Sequence, residues 1–380
     1  MKTLRLSMMV VLLVGTAWTS AADLDINIES GGKSVVVVPP GFDVRYQLIG
    51  ELTDSLNEGL AMVSMDLTFD GGDLEPADEP QMPPMTHFRP HRGLSNPAGF
   101  GGTVIGGGLM QIGGLQNTMN NHAAHPSFPI GPVVDGVAEP GSPVVLAEGA
   151  LTAPLEPGEY VLSIQNLHAN VIREGEDGVG FWMTEPAGAG VVADLAIVVD
   201  VDAVAVSGSV PQTGAIDARQ PWYHSGDDPD TWEYFGWNEV ELAIVGEASS
   251  LTVDDFEVAH TGVTDPPEVV GVTVAPAEDS VIVQLSGRIE PLEWTTITHS
   301  LSGTNVRLGF LPGDVDGSRQ SNVNDVLALI DHINGEKQRP IYQTDMDRNG
   351  VTDSNDVLRL LELLNGDDPF PVFLGAELSE

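Results

Sequence analysis

Apolar and polar positions alternate with a period of two along much of the chain, the spacing that turns one face of a strand toward a core. Ser34-Val35-Val36-Val37-Val38 runs into the turn Pro39-Pro40-Gly41, Asp43 to Ile49 alternates, and Met62 to Phe69 alternates before Asp70-Gly71-Gly72. The same signal predicts strands at Val144–Leu146, Gly158–Ile164 and Val191–Val201. A second cycle starts near Asp202, with strands expected at Glu239–Ile244, Val269–Val274, Ser280–Leu285 and Trp294–His299, and it ends near Leu311. Short strands and turn signals with no helix period between them predict a mainly β chain with two antiparallel β-sandwiches, the second immunoglobulin-like. From Glu75 to Gly131 the alternation fails, because Pro80, Pro83, Pro84, Pro90, Pro97 and Gly106-Gly107-Gly108 interrupt any long element. That stretch reads as a long insertion on a sandwich edge, with Thr103–Ile105 and Leu109–Ile112 as candidate short strands.

Helix period appears only near the end. Val326, Leu327, Leu329, Ile330 and Ile333 make one apolar stripe, and Val357, Leu358, Leu360, Leu361 and Leu364 make another. Asn334-Gly335 and Asn365-Gly366 are matching C-terminal caps. Each stripe follows a twelve-residue loop, and the second loop begins 31 residues after the first. Asp314, Asp316, Ser318, Asn322 and Asp325 stand at loop positions 1, 3, 5, 9 and 12, with Gln320 at 7. Asp345, Asp347, Asn349, Asp353 and Asp356 repeat the pattern, with Val351 at 7. Oxygen donors at this spacing, closed by a backbone carbonyl at 7 and a carboxylate at 12, suit a hard cation such as Ca²⁺; without sulfur or histidine they do not suit zinc.

Composition narrows the function. Fifteen Lys+Arg against 56 Asp+Glu leave a formal charge of −41, which argues against nucleic acid, since a phosphate backbone is held by clustered basic residues. Cysteine is absent, so disulfides, thiolate metal sites and cysteine nucleophiles are all excluded. Lys2 and Arg5 precede the short apolar run Met8–Val14, and small residues follow through Ser20-Ala21-Ala22. This is a signal-peptide layout, too short to cross a bilayer, and it predicts a secreted, extracellular or cell-surface protein with no membrane span. In a disulfide-free exported chain the loops supply another staple: carboxylates this crowded repel without an ion, and a module this small has little core, so ion binding and folding are expected to be coupled. Phe310-Leu311-Pro312 and Phe370-Pro371-Val372-Phe373-Leu374 are apolar ends expected to clasp each other.

A loop plus an exiting helix, written twice with no amphipathic helix ahead of either loop, resembles a type I dockerin over Pro312 to Glu380. The resemblance implies a small all-α calcium-binding module that docks onto a cohesin-type domain in extracellular, classically polysaccharide-degrading, assemblies. It implies Asp314, Asp316, Ser318, Gln320 (by its carbonyl), Asn322 and Asp325 as one calcium set, and Asp345, Asp347, Asn349, Val351 (by its carbonyl), Asp353 and Asp356 as the other. The partner contacts at loop positions 10 and 11 fall on Val323-Asn324 and Ser354-Asn355, which differ, so a symmetric two-way docking surface is not implied. Position 6 is Gly350 in the second loop but Arg319 in the first, where a left-handed non-glycine residue costs about 1–2 kcal/mol. The first loop also has three carboxylates against four, so the second site is expected to bind calcium more tightly.

Upstream, the stretches Gly50–Ala61, Asn96–Thr103 and Gly214-Ala215-Ile216-Asp217-Ala218-Arg219-Gln220-Pro221 are similar to other dockerin-bearing exported bacterial proteins, which implies a cohesin-like or carbohydrate-binding-module-like sandwich. Trp222-Tyr223-His224 and Trp232-Glu233-Tyr234-Phe235-Gly236-Trp237 read either as a sugar-stacking platform or, with Trp237 just ahead of a strand, as a core residue flanked by loop aromatics. His87, His91, His122 and His125 read as loop histidines, with no helix to align them on a metal. There is no GxSxG elbow or P-loop, and the carboxylates are too many to nominate a glycosidase pair. The expected organisation is a signal peptide at 1–22, a sandwich at 23–202, a second at 203–311 and the dockerin-like module at 312–380. The expected function is non-catalytic docking; the alternatives are a polysaccharide-active hydrolase with its catalytic domain in 23–202 and a cell-surface structural or adhesion protein.

Overall fold

The computed structural model describes residues 22–378 except 55–56, 58, 77–99, 116–135, 175–181, 225–231, 235, 263–264, 276–278 and 368–369. Residues 1–21 of the expected leader and the histidines at 87, 91, 122 and 125 lie outside the described residues. No helix among the described residues is long and apolar enough to cross a membrane.

Eleven strands build the first sandwich: β1 (Asp23–Glu29), β2 (Val35–Val38), β3 (Asp43–Leu52), β4 (Leu60–Phe69), β5 (Phe100–Ile105), β6 (Gly108–Leu115), β7 (Val144–Thr152), β8 (Gly158–Glu174), β9 (Trp182–Pro186), β10 (Gly188–Ala193) and β11 (Leu195–Val199). One sheet has the order β10-β1-β3-β7, the other β2-β11-β8-β4-β6-β5 with β9 alongside β8. Alternation decides which side chains face inward: along β3, Val44, Tyr46, Leu48 and Leu52 are buried while Asp43 and Arg45 are exposed. They meet Leu24, Ile26 and Ile28 of β1, Val63, Met65 and Leu67 of β4, and Leu162 and Ile197 from the facing sheet. Each such aliphatic contributes about 1.5–3 kcal/mol by leaving water.

The candidate strands Thr103–Ile105 and Leu109–Ile112 form, within β5 and β6, while two other expectations change here. The stretch read as an insertion holds the hairpin β5–β6 at 100–115, whose strand β6 pairs with β4 in the large sheet. Gly106 and Gly107 make its turn at φ 61° and 85°, and Leu109 and Ile112 are buried, so the glycines that break a long element here close a tight one. The run Val191–Val201 divides near Asp194 into β10 and β11, which join different sheets. The sheets are antiparallel apart from the parallel pairs β1–β10, β2–β11 and one in the second sandwich.

That second sandwich comprises β12 (Ala205–Val210), β13 (Ile216–Asp217), β14 (Trp222–His224), β15 (Trp232–Tyr234), β16 (Glu239–Val245), β17 (Phe256–His260), β18 (Val269–Val274), β19 (Ser280–Leu285), β20 (Glu293–His299) and β21 (Asn305–Phe310). Its sheets run β12-β16-β19-β18 and β13-β21-β20-β17, with β14–β15 a separate hairpin. Strand β16 alternates strictly, burying Val240, Leu242 and Ile244 against Val281, Val283, Leu308 and Phe310. Trp237, half-buried, packs on this core and meets Tyr342 edge-on at 5.4 Å. The two sandwiches touch where Val37 N donates to Leu301 O at 2.7 Å and Lys33 Nζ to Glu257 at 2.8 Å.

The tail holds α1 (Val323–Ile333), the one-turn α2 (Ile341–Thr344) and α3 (Ser354–Asn365), so a short helix does precede the second loop. Val315, Leu329, Met346, Leu360, Leu363, Leu364, Phe370 and Phe373 form its core, and Ala218 of the second sandwich joins them. Gly366 ends α3 in the left-handed conformation, its N–H donating to Glu362 O. The apolar stripes split. Leu329, Leu360 and Leu364 point inward, while Leu327 and Leu358 stand 61% and 60% exposed beside partly exposed Ile330, Ile333 and Leu361. The expected clasp forms further along the chain: Phe370 and Phe373 belong to the helix core, and Leu378 meets Leu311, Ile216 and Trp294.

Candidate metal centre

Position 1 of each loop is buried and faces back into the loop. Asp314 accepts Ser318 N at 2.9 Å and Arg319 N at 3.0 Å; Asp345 accepts Asn349 N and Gly350 N, both at 3.0 Å. Position 12 closes the other side. Asp325 accepts Asp316 N at 2.9 Å and Asn322 N at 2.8 Å, and Asp356 accepts Asp347 N at 3.2 Å and Asp353 N at 2.7 Å. Position 3 repeats too: Asp316 takes Ser318 N at 2.9 Å and Asp347 takes Asn349 N at 3.1 Å. At positions 1, 3 and 12 the two loops therefore make the same hydrogen bonds, which is what a 31-residue repeat predicts when those aspartates set the local fold.

Two helix starts finish the arrangement. Asn322 and Asp353 are the N-caps of α1 and α3, accepting Asn324 N at 2.8 Å and Asn355 N at 2.7 Å, and each completes a capping box with the position-12 aspartate. One carboxylate oxygen of Asp325 or Asp356 thus serves the helix while the other faces its loop.

Carboxylate oxygens of Asp314, Asp316 and Asp325 lie within 4.8 Å of one another, and so do those of Asp345, Asp347 and Asp356. Asp314, Asp325 and Asp356 are fully buried and Asp345 nearly so. None of the ion pairs among the described residues involves these six groups. Burial, reinforced by Asp325, pushes the Asp314 carboxyl up to about 7; burial opposed by hydrogen bonds from Asn322 and Asp316 puts Asp325 at about 6. Burial also raises Asp345 and Asp356, whereas Asp316 ends below the usual range because hydrogen bonds with Ser318 and Asp314 and the positive charge of Arg339 together outweigh its burial. Two buried acids beside a half-buried third in each loop, none of them in an ion pair, are costly unless a cation or protons neutralise them. An all-oxygen donor set of this charge fits a hard divalent ion.

The remaining expected ligands sit unevenly. The Gln320 carbonyl accepts from Ser318 Oγ and Asn322 Nδ2, both at 3.2 Å, so positions 5, 7 and 9 converge in the first loop. In the second, Asn349 is tied to Asp347 through its side chain at 3.0 Å, and Val351 is exposed at the rim. Val323, Asn324, Ser354 and Asn355 are all exposed on the first turns of α1 and α3. Both loops take left-handed backbone at positions 4 and 6: Gly317 and Arg319 at φ 74° and 69°, Arg348 and Gly350 at 62° and 89°. Each loop thus holds one glycine and one arginine in that region. The strain expected to weaken the first site is matched in the second, and only the carboxylate count still separates them.

Sequence reasoning did not single out Tyr342, Met346 or Arg348, and it gave Asp217, Arg219 and Gln220 no role beyond a family likeness; these residues join the second loop to the sandwich. The side chains of Trp222–His224 and Trp232–Tyr234 lie outside the described ones; their backbones form the hairpin β14–β15.

No protein-family model matches the chain, and no curated protein sequence matches it significantly. Among solved structures, the seventh type I cohesin of the ScaB protein from Pseudobacteroides cellulosolvens is similar at 14% identity, covering 48% of this chain and 94% of that one with a TM-score of 0.30. A chain of a type I cohesin–dockerin complex from Clostridium thermocellum is similar at 12% identity, covering 48% and 99% with a TM-score of 0.29. A non-cellulosomal cohesin from the archaeon Archaeoglobus fulgidus is similar at 12% identity, covering 47% and 92% with a TM-score of 0.26.

Proposed function

We propose that residues 312–380 form a dockerin-like module that takes up two calcium ions and docks the exported protein, without catalysis, onto a cohesin-type partner. The observation that carries this reading is the pair of matching loops, each burying carboxylates within 4.8 Å of one another and turning them onto a common point. Asp314, Asp316, Ser318, the Gln320 carbonyl, Asn322 and Asp325 would hold one ion; Asp345, Asp347, Asn349, the Val351 carbonyl, Asp353 and Asp356 would hold the other. A bound cation supplies the charge that neutralises these acids and thereby fixes the two helices that follow them.

The docking face in this reading is the outward half of the split stripes. Val323, Asn324 and Leu327 on α1, and Ser354, Asn355 and Leu358 on α3, are exposed on the two repeats. A row of exposed aliphatic side chains beside polar ones suits a protein partner more than water. The sandwiches then serve as the presented cargo or adhesive part.

Calorimetric titration of the mature chain with calcium is the direct test, with two ions taken up; no uptake ends the reading. Pull-down with a cohesin-type domain, with and without EDTA, tests the docking half. Retention that ignores EDTA separates docking from the metal.

A further inference from the structure

Gly214 to Pro221 supplies none of the expected ion ligands, yet it runs along the second loop. Ile216 and Asp217 form β13, paired in parallel with Gly309 and Phe310 at the end of the sandwich. The chain then leaves the sheet and bonds to the helical module. Ala218 N donates to Tyr342 O at 2.9 Å, Gln220 N to Met346 O at 3.0 Å, and Gln220 Nε2 to Asp347 O at 3.2 Å. In return Gly313 N donates to Ala218 O at 2.7 Å, and Arg348 Nε to Gln220 O at 2.9 Å. Asp217, fully buried, is held by Arg219 at 2.8 and 2.9 Å and by Arg348 Nη2 at 3.2 Å.

The two loops differ in who holds them. At position 2 of the first loop the Val315 carbonyl accepts from Arg339 Nη1 at 3.0 Å, a residue of the module itself. At position 2 of the second loop the Met346 carbonyl accepts from Gln220, a residue of the second sandwich. Met346 lies between Asp345 and Asp347, so Gln220 grips the backbone that aims two of the clustered carboxylates. Arg348, at position 4, reaches from the loop to Asp217. At position 2, then, the first loop is braced from inside the module and the second from outside it; what the first loop shows the sandwich is the Arg319 guanidinium, 5.8 Å over the Trp294 ring, and not a backbone bracket.

We propose that residues 217–220 are a built-in bracket, so that ordering of the second loop by its ion and seating of the module on the second sandwich are one coupled event. This rests on the calcium reading above. Coupling of this kind is reciprocal: the ion steadies the bracket, and the bracket raises affinity for the ion, at the second site only.

The test uses the full mature chain, calcium titration by calorimetry, and hydrogen exchange at the Ala218 and Gln220 amides, which report the bracket directly. Arg348→Ala removes the arm to Asp217 but keeps a Cβ at the left-handed position, φ 62°, so the backbone strain there is not relieved. Its second-site affinity is expected to fall about tenfold with the first site unchanged. Both amides are expected to exchange slowly with calcium and fast in EDTA, and Asp356→Ala to make them fast even with calcium, while Asp325→Ala leaves them slow. Normal second-site affinity in Arg348→Ala, or exchange at 218 and 220 that ignores EDTA in a chain that does bind two ions, overturns the bracket alone. A wild-type chain that takes up no calcium overturns the metal reading and the bracket with it.

Discussion

Arg319 and Gly350 hold the same place in their loops, and both are left-handed, at φ 69° and 89°. The arginine at φ 69° is strained where the glycine is not, but Arg348 and Gly317 reverse the roles two residues earlier. Backbone strain of about 1–2 kcal/mol per non-glycine residue therefore falls on both sites. Charge decides what remains: the second loop brings Asp345, Asp347, Asp353 and Asp356 where the first brings Asp314, Asp316 and Asp325. The second site is expected to bind calcium more tightly, and calorimetry of Asp356→Ala to show a larger loss of affinity than Asp325→Ala. Equal losses contradict the charge argument.

The buried acids also set a pH dependence. Asp314 and Asp325 titrate at about 7 and about 6 in the fold, and an unfolded aspartate titrates near 3.9. Between those values the folded chain holds more protons than the unfolded one, so the stability these two groups give is complete below about 4 and is lost as pH rises to about 7. Melting in EDTA is expected to drop over that window, and Asp314→Asn to flatten the drop. Calcium, which displaces the protons, is expected to reverse the trend. A melting temperature in EDTA that climbs steadily from pH about 4 to about 7, unaltered by Asp314→Asn, contradicts this account.

Leu327 and Leu329 separate docking from folding. Leu327 is 61% exposed and Leu329 is fully buried. Leu327→Asp together with Leu358→Asp is expected to shift stability by no more than about 0.5 kcal/mol per site and to abolish capture by a cohesin-type partner. Leu329→Ala is expected to cost about 2–5 kcal/mol. Thermal melting beside the pull-down reads both; full capture by the double aspartate variant removes this face from the docking surface.

Gly303 lets the two sandwiches approach closely. Its φ is 65°, and a Cβ there meets the Ser30 carbonyl and, at 2.9 Å, Val36, both in the first sandwich. Gly303→Val is expected to destabilise the chain by about 2–3 kcal/mol, from overpacking and left-handed strain together. An unchanged melting curve shows that this junction gives way freely.

Much of the site was legible in the residues themselves. A loop whose clustered acids lie within twelve positions needs no distant partner, so the 31-residue repeat and the clustering of Asp314 with Asp325 follow from spacing alone, while the capping of α1 and α3 by Asn322 and Asp353 was seen only in the structure. Strands such as Glu239–Val245 were readable for the same reason, because period two is a property of the strand itself. Strands β1 and β12 were not singled out, although Asp23 to Glu29 alternates and Gly31-Gly32 and Pro211 follow the two segments.

What the tertiary structure decided were relations between segments far apart in the chain. Whether an apolar helix residue faces inward, as Leu329 does, or outward, as Leu327 does, depends on which neighbours the fold brings up, and both look alike in a stripe. Gly106-Gly107-Gly108 interrupt a long element in the linear pattern, which offered short strands on either side of them, and β4 supplied the edge that makes their hairpin a part of the sheet. Asp217 and Arg348 lie 131 residues apart, and no periodicity links an acid in one module to a strained arginine in another. Local spacing fixed the carboxylate clusters, because their hydrogen bonds close within each loop; the mounting of those clusters on the sandwich was set by long-range contact, which a linear pattern does not encode.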